Sequence, residues 1–153
     1  MNKCLPVAFA ASLLAGVAQA APEAARYVES LRLPSGQTVV VAEGDLEPRS
    51  IGSYSVRLYS SRNPEFPLDD FLSGVIRPRD GPVLKVLLED VDAQAGPEIV
   101  VVKQGAGSGG YLSADAFRYG TNSASWLASV SGLSPGRDPV DALRTRLRAA
   151  PRQ

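Results

Sequence analysis

Residues 52–60, GSYSVRLYS, place Tyr54, Val56 and Leu58 on one side of an extended chain and Ser53, Ser55, Arg57 and Tyr59 on the other. A period of two over this length does not suit a helix. It predicts a half-buried antiparallel strand with one face on a core and the other in water. Such a strand is not stable alone, so the chain must supply partners and a second layer. Further β-branched or alternating runs recur at residues 26–33 (RYVESLRL), 37–42 (QTVVVA), 71–77 (FLSGVIR), 82–88 (PVLKVLL), 98–103 (EIVVVK), 112–119 (LSADAFRY) and 123–130 (SASWLASV). Turn residues separate them, notably PSG at 34–36, PRDG at 78–81 and GTN at 120–122. About eight short strands spaced in this way predict an all-β sandwich or barrel.

At the C-terminal side, residues 140–149, VDALRTRLRA, carry Val140, Leu143 and Leu147 at helical spacing behind Asp138, a residue suited to an N-cap. A short C-terminal helix is expected there, with a disordered basic tail as the alternative. At 153 residues the chain suffices for one domain with a real core and is too short for two. The first residues read as a cleavable signal peptide: Lys3, an apolar run over residues 5–17, and Ala18-Gln19-Ala20 as a small-x-small cleavage site. Cleavage after Ala20 leaves residues 21–153 as the mature domain. The apolar run is too short for a membrane anchor. The residue after Leu14-Ala15-Gly16 is Val17 rather than the cysteine of a lipid-attachment site. Export, with the single cysteine Cys4 lost in the leader, points to a bacterial periplasm and a disulfide-free fold. The mature chain then has 15 basic and 16 acidic residues, a net charge of −1. That balance argues against nucleic acid or an anionic membrane as partner.

The chain has no histidine, and its only cysteine leaves with the leader. This excludes Ser-His-Asp and Cys-His catalysis and any zinc or copper site built on those ligands. Three weaker chemistries remain. Residues 90–98, DVDAQAGPE, have acidic residues at alternate positions like a calcium loop, but Ala93 and Ala95 occupy places that would need oxygen ligands; the expectation is an ordinary acidic turn without a metal. Asp69 and Asp70 are adjacent, and adjacent side chains of an extended segment point apart, which makes a poor acid/base couple. Ser108 can be drawn as a dyad with Lys103, although Lys103 is more simply the polar end of a strand.

The remaining feature is residues 104–111, QGAGSGGY, four of whose eight residues are glycine. It lies between two predicted strands, without the following helix or the lysine of a phosphate-binding loop. Its glycines permit positive φ and close approach to another surface; Ser108 offers a donor and acceptor hydroxyl, and Tyr111 a flat face with a polar tip. It reads either as a plain hairpin turn with Tyr111 in the core or as a binding loop of Gly107, Ser108, Gly109, Gly110 and Tyr111.

At these residues the chain resembles the periplasmic inhibitors of invertebrate-type lysozyme. The resemblance runs from about Tyr54 to Phe117. It is carried by GSYSVRLY (52–59), FLSGVIRPRDG (71–81), PEIVVV (97–102) and GSGGYLSADAF (107–117), the last holding a Ser-Gly-x-Tyr signature at Ser108, Gly109 and Tyr111. It implies an antiparallel β-sandwich without enzymatic activity or cofactor. It also implies a family whose members are often dimeric, the possible homodimer here included, and an inhibitory partner, invertebrate-type lysozyme, whose cleft receives the loop. Under it Ser108 hydrogen-bonds the catalytic carboxylates and Tyr111 supports the loop or touches the cleft wall. Arg77 and Arg79, expected in a separate turn, are candidates for a secondary contact. The alternative from another class is a secreted carbohydrate-binding module for cell-wall glycan, with Tyr111, Trp126 or Tyr119 stacking on sugar rings.

Overall fold

A computed structural model describes residues 25–94 and 96–150. The leader assigned to residues 1–20 lies outside the described residues. The strands are β1 (Val28–Arg32), β2 (Thr38–Glu43), β3 (Ile51–Tyr59), β4 (Phe71–Asp80), β5 (Val83–Glu89), β6 (Glu98–Gln104), β7 (Leu112–Tyr119) and β8 (Ala124–Leu133), followed by helix α1 (Pro139–Ala149). They form two four-stranded sheets in plain chain order, β1-β2-β3-β4 and β5-β6-β7-β8. All pairings are antiparallel, and the chain passes between sheets once, from β4 to β5.

The alternation in β3 has the expected consequence. Tyr54, Val56 and Leu58 are each 0% exposed and share one core with Ile99 and Val101 of β6 and Phe117 of β7. The Tyr54 and Phe117 rings meet edge to face across the two sheets, 6.2 Å between centroids at 88°. The second sheet is buried on both faces. Val100 and Val102 of β6, with Ala114 and Ala116 of β7, turn away from the first sheet into a second core with Val140 and Leu143 of α1. That double burial explains why β6 is a continuous apolar run, whereas β3, half solvated, alternates. Helix α1 starts where Asp138 accepts a hydrogen bond from the Val140 N–H at 2.9 Å, with a proline in its first turn. Among the described residues, no helix is long and apolar enough to cross a membrane.

One boundary differs in a way that matters for the site. Residues 78–81 are not a turn. β4 runs through Pro78 and Arg79 to Asp80, and the reversal falls at Gly81, whose φ is 85°. Proline is tolerated at residue 78 because β4 is the edge strand of its sheet, where a missing N–H need not break a ladder. The extension also turns Arg79 inward.

Candidate functional site: the glycine-rich finger

β6 ends at Gln104 and β7 begins at Leu112, so residues 105–111 form a finger between two central strands of the second sheet. Its neck is closed by the Gly105 N–H donating to the Tyr111 carbonyl at 2.8 Å. Gly107, Ser108 and Gly109 are exposed at the tip. No hydrogen bond among the described residues uses the Ser108 hydroxyl. Tyr111 is 52% exposed and is not a core aromatic. One edge of its ring lies close against the tip: a Cβ added to Gly109 would sit 2.5 Å from the ring. Gly110 has φ 62°, in the left-handed region that glycine adopts without penalty, and a Cβ there would meet Pro135 of the β8–α1 loop at 3.5 Å. The glycines therefore do two jobs: they keep the tip narrow, and they let Tyr111 and Pro135 brace it.

Below the finger lies the reversal at Gly81. A Cβ on Gly81 would overlap the Gln104 carbonyl oxygen and approach the Ala106 nitrogen to 2.9 Å. The Gln104 N–H donates to the Pro82 carbonyl at 3.0 Å. Arg79 anchors this reversal. It is 2% exposed and donates to four carbonyls: Ser53 (3.0 Å), Arg49 (2.9 Å), Gly81 (3.1 Å) and Pro48 (3.0 Å). The expectation that Arg79 offers a contact surface is therefore corrected. Buried in a strand and engaged by carbonyls, it is a clamp. Arg77 is only part-exposed, with its guanidinium 4.9 Å above the Trp126 ring.

A buried polar network joins the sheets directly behind the finger. Lys103, two residues before Gly105, donates to Asp115 Oδ2 at 2.6 Å. The Tyr54 hydroxyl donates to the same oxygen, the Ser129 hydroxyl donates to Oδ1, and Trp126 Nε1 donates to Ser129 Oγ at 2.9 Å. Burial opposes charge on Asp115, but the hydrogen bonds from Lys103, Ser129 and Tyr54 outweigh it and hold the carboxyl below its usual range. Burial, then the charge of Asp115, pushes the Tyr54 phenol far above its ordinary value. With Lys103 committed inside and Ser108 at the tip, the two do not form a dyad. The network was missed in the sequence although a signal existed. Lys103 follows Ile99 and Val101 at a spacing of two, and Asp115 precedes Phe117, so both occupy core-facing positions.

The other candidates lie elsewhere. Asp70 pairs with Arg62 at 3.5 Å, and its neighbour Asp69 is exposed. Asp90, Asp92 and Glu98 do converge, their carboxylate oxygens lying within 4.8 Å of one another. Each carboxylate already supports the protein's own structure: Asp90 accepts from the Ala93 N–H (2.8 Å), Asp92 from the Gln94 N–H (2.9 Å) and from Arg118, and Glu98 from the Val91 N–H (3.0 Å). Burial raises the Glu98 pKa; the Val91 N–H pulls it down, and the charges of Asp92 and Asp90 push it up. The three aromatic candidates do not make one platform. Tyr111 lies on the finger, Trp126 sits under Arg77, and Tyr119 lines a cavity of about 490 Å³ with Gln37 and Ser60. In that cavity Gln37 is committed to the Gly120 and Thr121 carbonyls at 3.2 and 2.8 Å.

A family model described as periplasmic lysozyme inhibitor of I-type lysozyme matches residues 25–147. The chain belongs to this family. The crystal structure of the family member from Aeromonas hydrophila superposes with a TM-score of 0.73 at 48% identity, covering 76% of this chain and 98% of that one. The structure of the A. hydrophila inhibitor in complex with Meretrix lusoria lysozyme gives a TM-score of 0.72 at 48% identity, covering 77% of this chain and 95% of the other. No protein with a curated description matches. The relatives are lysozyme inhibitor proteins rather than enzymes.

Proposed function

We propose that this chain is a periplasmic inhibitor of invertebrate-type lysozyme, exported by cleavage after Ala20, and that it acts by placing residues 107–111 in the lysozyme cleft. The observation that carries the reading is the state of Ser108: an exposed hydroxyl without a partner among the described residues, at the tip of a loop braced on several sides. A lysozyme cleft holds two carboxylates in different ionisation states. A serine hydroxyl donates to the ionised one and accepts from the protonated one. Gly107 and Gly109 keep the tip thin enough for a groove shaped around a glycan strand. Gly110 and Tyr111 order it before binding, so little loop entropy is lost on association. The A. hydrophila relative in complex with Meretrix lusoria lysozyme supports the choice of partner.

Hydrogen bonds to charged groups contribute about 1.5–3 kcal/mol, so Ser108→Ala should weaken inhibition about ten- to a hundredfold. Its melting temperature should stay at the parent value, because the hydroxyl supports nothing inside the fold. Tyr111→Ala should weaken inhibition by loosening the tip. The measurement is an inhibition constant against invertebrate-type lysozyme, with chicken- and goose-type enzymes in parallel to test selectivity. Parent-like inhibition by both variants would end this reading.

A further inference from the structure

The β2–β3 loop, residues 44–50, carries the most exposed large apolar side chain among the described residues: Leu46, at 102%. Its φ is 61°, in the left-handed region that a leucine rarely adopts. At that exposure the side chain buries no surface against the other described residues that would offset the strain. The loop around it is nevertheless held firmly. Arg79 holds the Pro48 and Arg49 carbonyls, Glu47 accepts from the Ser53 N–H and, at 2.8 Å, from its hydroxyl, and the Gly44 N–H donates to the Ser53 carbonyl at 3.0 Å. Arg49 in turn pairs with buried Glu43 at 2.8 Å, and Glu43 accepts the Val83 N–H at 2.7 Å.

This loop and the finger share one frame. The guanidinium that holds residues 48 and 49 also holds the Gly81 carbonyl, the Gly81 N–H donates to the Ser50 carbonyl at 2.8 Å, and Gly81 lies under Gln104 and Ala106. Leu46 is therefore fixed at the same pole as Ser108. A partner that takes the finger into a cleft brings the rim of that cleft to residues 44–50. We propose that Leu46 is a second anchor for lysozyme, seated in an apolar depression on the rim beside the catalytic cleft. This inference rests on the finger reading above. It also gives Arg79 its role: a positioning residue that sets the spacing between finger and anchor.

Leu46→Asn separates binding from folding, because asparagine accepts positive φ more readily than leucine. The variant should melt at or above the parent temperature while inhibiting invertebrate-type lysozyme about tenfold less well, the effect of losing a buried leucine contact. Ser108→Ala is measured alongside. Parent-like inhibition by Leu46→Asn with impaired Ser108→Ala overturns the anchor and keeps the finger. Impaired Leu46→Asn with parent-like Ser108→Ala supports Leu46 as a contact and overturns the finger. If Leu46→Asn sediments as a smaller species than the parent yet inhibits normally, the leucine belongs to a contact between copies and the proposal fails.

Discussion

Strand β6 carries a loop at each end, and the two loops treat their polar groups in opposite ways. Before Glu98, the acidic loop engages its carboxylates internally: Asp90 and Asp92 cap their own turn, Asp92 pairs with Arg118, and Glu98 holds the Val91 N–H. After Gln104, the finger leaves the Ser108 hydroxyl without a partner among the described residues, while its backbone is held at the neck, approached at the root by Gly81 and flanked by Pro135. Three converging carboxylates look more like a site than one serine does. Yet those carboxylates are partly committed to holding their own loop, whereas a hydroxyl on a stiff support with no partner among the described residues has its full hydrogen-bonding capacity available.

The same contrast holds for the buried charges that bracket β6, Lys103 at the finger end and Glu98 at the other, and substitutions there test it hardest. Lys103→Met leaves Asp115 buried without its cation, keeping only the Tyr54 and Ser129 hydroxyls. Breaking a buried pair in this way costs about 3–5 kcal/mol, which urea denaturation will register. Adding Asp115→Asn should recover much of the loss, because the amide is neutral and its oxygen still accepts a hydroxyl. If Lys103→Met proves as mild as a change at Glu98, the two ends of β6 are alike and the frame behind the finger is not special.

Next in size is Gly81→Ala. The substitution combines positive-φ strain with overlap of the Gln104 backbone, for a cost of about 1–3 kcal/mol. It should also weaken lysozyme inhibition, since relief of the overlap moves the root of the finger. Gly136→Ala is the control: φ is 89° there too, but nothing lies within 4 Å of the added carbon. Equal losses of stability in the two variants, with inhibition intact in both, would show that the finger does not depend on the reversal beneath it.

The sequence made the layers legible and left their joints obscure. Alternation in residues 52–60 and the unbroken apolar run of β6 are direct consequences of single and double burial, so strand positions and the C-terminal helix could be read locally. Arg79 could not. Residues 78–81, PRDG, have the composition of a turn, and only the edge position of β4 lets the strand continue through Pro78 and carry Arg79 inside. The glycine spacing of the finger was visible, but its bracing by Pro135 and Gly81 comes from segments distant in sequence. Leu46 gave no signal at all, because its exposure and its φ are products of how the loop is tied down.

The smallest expected effect lies at the acidic end and depends on pH. Glu98 is buried, and its carboxyl titrates above the value of an unfolded chain, near 4.3. The folded state thus holds this proton more tightly than the unfolded state does. The resulting stabilisation is fully present below the unfolded value and is lost as pH rises through the raised folded value. Glu98→Gln keeps an oxygen for the Val91 N–H and removes the titration. At pH 7 the variant should melt higher than the parent by a small margin, on the order of 2 °C, and the gap should close near pH 4. Asp115 has a depressed pKa and loses stabilising charge in acid, but it is present in both proteins and cancels from the difference. Because the finger stands at the opposite end of β6, inhibition should be unchanged. A variant that melts lower than the parent at pH 7 would mean that the charged carboxylate holds Val91 and Arg118 in place, and the acidic loop would then be a charge-dependent support in its own right.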